Sequence, residues 1–129
     1  MIIRHFGGIE SVTSVDELNK ILSKRYGNDS NEFWITDDKQ DNPCLAILVH
    51  KNLANITYFP DDITSLGFQS VGKINDLNSN EYSVFYTNTA EEEIEICNDV
   101  IITFDEALMA AIEFFYDNKM PCCIEWTEN

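Results

Sequence analysis

Positive charge is scarce in this chain. Its 129 residues hold 8 Lys and Arg against 23 Asp and Glu, for a formal net charge of −15 with two His left neutral. A field of that sign repels nucleic acid and anionic membrane, so neither is an expected partner, and it speeds encounter with a basic protein. No apolar run approaches the roughly 20 residues that a bilayer-spanning helix needs. Residues 1–8, M-I-I-R-H-F-G-G, lack the long apolar core of a secretion signal, and a cytoplasmic protein is expected.

Cysteine, histidine and glycine are also too sparse, or wrongly spaced, for the common reactive motifs. The four cysteines, Cys44, Cys97, Cys122 and Cys123, form no Cys-x-x-Cys pair. Cys122 and Cys123 are adjacent and would point to opposite faces of a strand. Only His5 and His50 could help them converge on a zinc ion, so reduced structural thiols are expected. Gly7-Gly8 is not followed by Lys-Ser or Lys-Thr, and no Gly-x-Gly-x-x-Gly run occurs. The deaminase zinc pattern, His-x-Glu with Pro-Cys-x-x-Cys, is absent: Pro121-Cys122-Cys123 has the wrong spacing and Pro43-Cys44 has no second Cys. Cys44 and His50 would be roughly 20 Å apart along one straight strand, too far for a nucleophile and its base. For Cys97 with His5 the sequence neither forbids nor supports a pairing. The turn from Asp37 to Asn42 lacks the alternating oxygen ligands, the Gly and the closing Glu of a calcium loop. Carboxylates are so numerous that a glycosidase-like pair has no specific signal. No catalytic residue, cofactor or metal site is therefore assigned.

What is present suits a packed domain. Hydrophobic residues make up 44% and aromatics 12%. One domain spanning residues 1–129 is expected, burying about two-thirds of its unfolded surface. Residues 2–12 read as a strand or extended lead-in bent at Gly7-Gly8. Ser14 and Glu17 form a capping box for a helix to about Tyr26, with Val15, Leu18, Ile21 and Leu22 as its apolar stripe and Gly27 as terminator. Strands are predicted over 32–36, 44–50, 54–59 and 82–86, with a looser one within 65–72, a polar loop at 75–80 and alternation at 94–96. The run 44–50, C-L-A-I-L-V-H, is apolar enough for a central strand buried on both faces. Thr103 and Glu106 form a second capping box, for a helix to about Asn118, whose side chain suits a left-handed stop. Pro121 prevents continuation, and 122–126 reads as a last strand with Ile124 and Trp126 on one face. The class that follows is α+β: a mostly antiparallel sheet with an N-terminal and a C-terminal helix packed on one face, the other face left open to solvent or a partner.

Two kinds of residue are candidates for contact with a partner. The acids cluster as Asp37, Asp38 and Asp41 in one turn, Asp61 and Asp62 in another, and Glu91, Glu92, Glu93 and Glu95 in a run. Such clusters can simply solvate a sheet edge, or they can steer a basic partner. Among the strand aromatics, alternation sends one member of each adjacent pair away from the core. That leaves Phe33 or Trp34, and Tyr58 or Phe59, as exposed anchors; Trp34 and Tyr58 are taken as the candidates.

The order of the short motifs resembles the immunity family usually placed first among those of polymorphic toxin systems, here called Imm-one. The likeness lies in Pro43 to Val49, Tyr58-Phe59, Gly67 to Gly72, Ala110-Ala111-x-x-Phe114-Phe115, Pro121 and the ending Ile124-Glu125-Trp126-Thr127-Glu128. Where the family often has Gly before the Pro, this chain has Asn118. The resemblance implies a small cytosolic α+β protein without enzymatic activity, which binds and neutralises a cognate toxin domain. Many such toxins are nucleic-acid deaminases, whose basic cleft an acidic inhibitor would occlude. The alternative is an adaptor or small-ligand-binding domain.

Overall fold

A computed structural model describes residues 1–61, 64–74 and 76–129. The chain opens with a hairpin, β1 (Ile2–His5) and β2 (Gly8–Ser11), so the extended lead-in folds back on itself at Gly7-Gly8. Helix α1 (Val15–Leu22) starts where Ser14 Oγ accepts from the Glu17 backbone N–H at 3.2 Å. It stops short of the predicted Tyr26. Ser23 Oγ donates to the Asn19 carbonyl, Lys24 N–H turns back to the Ile21 carbonyl, and Tyr26 is already bridged to Ser30. Gly27 at φ 54° then turns the chain into the sheet.

Strands β3 (Ser30–Thr36), β4 (Cys44–His50) and β5 (Leu53–Phe59) form an antiparallel meander at the middle of an eight-stranded sheet. β6 (Phe68–Ser70) and β10 (Trp126–Glu128) extend it on one side, and β1 and β2 on the other. The two-residue β9 (Ile102–Thr103) pairs with the start of β5 and leads directly into α2 (Phe104–Asp117). Every strand pair among the described residues is antiparallel. The looser predicted strand over 65–72 is only three residues long. The last strand begins at Trp126 rather than 122, because residues 122–124 bend under α2, where the Cys122 N–H is bound by Glu113.

Both ends of α2 follow their local signals. Thr103 Oγ1 accepts from the Glu106 N–H, and Glu106 Oε1 accepts from the Thr103 N–H, closing the capping box. Asn118 takes the left-handed conformation at φ 54°. Strand register decides the faces. Ile3, Ile35, Leu45 and Tyr58 stand in one cross-strand row and Phe33, Ile47 and Ile56 in the next; all belong to the core shared with Leu18, Ile21, Leu22, Ala107, Ala110, Ala111 and Phe114 of the helices. Both helices thus cover one face, as expected. On α2 the central ring is Phe114, fully buried, while Phe115 packs at the edge of the core.

The opposite face is only partly open. β7 (Tyr82–Tyr86) and β8 (Glu93–Cys97) pair with each other rather than joining the main sheet, and this ribbon lies against β3 and β4. His50 Nδ1 binds the Val84 carbonyl at 2.7 Å and its ring meets Phe85 and Tyr86 edge-on. Glu32, 8% exposed, accepts from Thr87 Oγ1 at 2.6 Å and from the Asn88 N–H at 3.1 Å. The ribbon therefore covers the Glu32, Leu48 and His50 half of the face and leaves the half around Trp34 uncovered. Among the described residues no helix is long and apolar enough to cross a membrane.

Candidate partner-binding surface

Alternation places Trp34 on this uncovered half, one residue out of phase with the buried Phe33 and Ile35. In the same strand sense Ala54, Ile56 and Tyr58 point to the helices, so the aromatic that joins Trp34 is Phe59. Trp34 is 39% exposed and Phe33 fully buried, so Trp34 is the exposed member of that pair. Tyr58 is 8% exposed, with its ring edge-on to Phe114 and Trp126. The candidate role given to Tyr58 as an exposed anchor is thus at odds with its placement. The signal for Phe59 was present in the sequence, since Ala54, Ile56 and Tyr58 form the apolar phase of that strand and Asn55 and Thr57 the polar one.

Trp34 and Phe59 lie nearly parallel, 15° apart with ring centroids 6.0 Å apart, and both line an open cleft of about 640 Å³. Arg4, Asp41, Asn42 and Ser65 contribute to its walls. A second hollow of about 230 Å³ shares Arg4 and Trp34 with the first and is bounded by His5, Glu32 and Asn88 at the ribbon's tip. Trp34 and Arg4 therefore form the ridge between two hollows. The side chain of Arg4, which sequence reasoning passed over, makes no hydrogen bond or ion pair among the described residues.

The acidic candidates fall into two groups. Cys44 pairs with Phe59, so the 37–43 turn and the exit of β5 emerge side by side at one end of the sheet. Asp41 and Asp61 are both exposed there; Asp38 is also exposed and pairs with the Met1 amino group at 2.8 Å, and Asp37 is half-buried. Asp62 lies outside the described residues, as does Asn75 of the predicted polar loop. Glu91, Glu92, Glu93 and Glu95 are all exposed on the β7–β8 ribbon, beyond the second hollow. The uncovered aromatic ridge thus sits between the two acidic groups.

Electrostatics in this region oppose a nucleophilic reading. Burial pushes the Cys44 thiol up to about 11, against smaller lowering contributions from its backbone hydrogen bond at Ile35 and from Arg4. At neutral pH it is a thiol, not a thiolate. Burial, and then the Asp61 and Asp117 carboxylates, raise the Tyr58 phenol as well. Cys122 and Cys123 are exposed beyond α2, and burial followed by Glu113 raises the Cys123 thiol. No group of three or more His, Cys, Asp or Glu side chains among the described residues could hold a metal ion. The arrangement can bind, through stacked aromatics in an acidic frame.

No family model matches the chain. It is 28% identical over 123 residues to the double-stranded DNA deaminase immunity protein of Burkholderia cenocepacia (strain H111), and the match covers 95% of each chain. Likeness along the whole of both chains supports the kinship with deaminase-toxin immunity proteins to which the order of short motifs pointed.

Proposed function

We propose that this protein is an immunity protein that binds a DNA deaminase toxin domain and neutralises it without chemistry of its own. The observation that carries this reading is the end-to-end similarity to an immunity protein named for a double-stranded DNA deaminase. The net charge of −15 fits it, because a domain that grips DNA needs a basic cleft. Occlusion of that cleft is steric and electrostatic: acidic groups steer the encounter, and desolvated contacts at the aromatic ridge slow dissociation. Nucleic acid and membrane are not partners in this scheme, and the working compartment is the cytoplasm, where the toxin would act. A small-ligand-binding domain would call for an enclosed cavity, whereas the larger hollow is an open cleft.

Co-expression tests the proposal. Cells producing a cognate deaminase toxin domain should survive when the chain is present, and the two proteins should co-purify. Continued killing together with no co-purification overturns it.

A further inference from the structure

We propose that the cleft on the uncovered face receives an arginine side chain of the partner, laid on the Trp34–Phe59 stack with its guanidinium turned toward Asp41. This rests on the reading of the chain as a toxin inhibitor and names the contact by which it holds on.

The aromatic lining of the cleft is already organised. Trp34 and Phe59 are stacked before any partner arrives, 15° apart at 6.0 Å, so little side-chain freedom remains to be lost on binding. Trp34 projects from the middle of β3, paired to Arg4 on one side and Ala46 on the other, yet keeps 39% of its surface in water. An indole held rigid and half-wet is the kind of residue that anchors an interface.

The walls select the occupant. Asp41 and Arg4 both line the cleft and make no ion pair with each other. The cleft therefore has an acidic end, strengthened by the neighbouring Asp61, and a basic end. A purely apolar side chain would strip water from both charges and return no hydrogen bond. An acidic one would have to approach against the field of a molecule at −15. An arginine satisfies all three elements: its planar head stacks on the aromatic pair, its N–H groups reach Asp41, and its main-chain carbonyl comes to the Arg4 end. Lysine could reach the same carboxylate but would neither stack nor offer two parallel donors.

Two measurements decide the matter. In the first, the ¹⁵N-labelled protein is titrated with acetyl-Gly-Arg-Gly-amide and with its citrulline and glutamate counterparts. The arginine peptide should give saturable shifts at the Trp34 indole N–H and at the Asp41 and Asn42 amides, citrulline smaller ones, and glutamate none. A silent Trp34, with or without shifts at residues 91–95, overturns the proposal. In the second, affinity is measured for the toxin domain that the wild-type protein neutralises. Trp34→Ala should weaken binding about 30-fold and Asp41→Asn about tenfold, with both variants still unfolding cooperatively. Wild-type neutralisation with both variants binding as tightly overturns the arginine contact and leaves the immunity function standing. If the wild type neutralises no toxin, the immunity function itself fails, and the peptide titration alone decides the cleft.

Discussion

At Glu10 the structure gathers three chargeable groups, two from the β1–β2 hairpin and one, Lys24, from beyond α1. The Gly7 N–H donates to His5 Nδ1 at 3.0 Å, which leaves the proton on Nε2, and Nε2 donates to Glu10 Oε2 at 2.6 Å. Lys24 Nζ meets both Glu10 oxygens at 3.1 Å. The hydrogen bond from His5, and next that from Lys24, hold the Glu10 carboxyl below its ordinary value. A carboxylate with a lowered folded-state pKa contributes stability that is complete above its unfolded value and is lost as pH falls through the folded one. Glu10→Gln should therefore lower stability at neutral pH and flatten part of the acid limb, read as urea midpoints over a pH series. An equal drop at every pH would contradict it. Gly72 matters for a different reason. A Cβ there would lie 1.7 Å from the Ile101 carbonyl oxygen, while its own N–H donates to the Asp99 carbonyl at 2.8 Å. Backbone rather than a yielding side chain fills the space, so Gly72→Ala should cost about 1–3 kcal/mol in urea unfolding.

The β7–β8 ribbon is the element whose placement shapes the surface; it is held by the buried Phe85 and Tyr86 rings and by a small set of polar contacts. Glu32 holds its tip through Thr87 and Asn88, and His50 holds its middle through the Val84 carbonyl. Glu32→Gln keeps the shape but removes the charge that strengthens both tip bonds. The expected result is a loss of about 1–2 kcal/mol and faster amide exchange at residues 87–92, with β4 amides unchanged. Exchange at the tip as slow as in the wild type would show that the tether is elsewhere. The strand over 82–86 and the alternation at 94–96 were legible in the sequence, as were the caps of α2, since those signals span only a few residues. Their pairing into a separate layer was not, because nothing local distinguishes a strand that joins a sheet from one that lies across it. The early end of α1 was equally hidden, since Ser23 and Lys24 compete for the last carbonyls only once Tyr26 is drawn toward Ser30.

Across the whole molecule the acidic groups flank the aromatic ridge on two sides, one group at the exit of β5 and the other on the ribbon. Steering by such a field acts on the association rate and is screened by salt, while stacked aromatics act on dissociation. Reversing charge at Glu91, Glu92 and Glu93 should slow association with the toxin domain about tenfold at low ionic strength and weaken its salt dependence, with little change in dissociation. Association measured at several salt concentrations tests this, and unchanged kinetics would remove the ribbon tip from the approach path. The same experiment on Trp34→Ala should show the opposite pattern, a faster dissociation at nearly constant association rate.

Helix caps, turn residues, strand alternation and net charge are short-range or additive properties, so residue order alone sufficed for the α+β class, the left-handed stop at Asn118 and the acidic character. Phase along a single strand carries side-chain direction as well: the apolar set Ala54, Ile56 and Tyr58 implies that Phe59 faces outward. The uncovered half-face is another matter. It exists because Glu32 captures residues 55 and 56 positions further along, and because Cys44 is paired with Phe59, which brings Asp41 beside the aromatic stack. Contacts between such distant segments form only when the chain closes into its tertiary arrangement, and there the cleft, its two charged ends and its exposed ridge were decided.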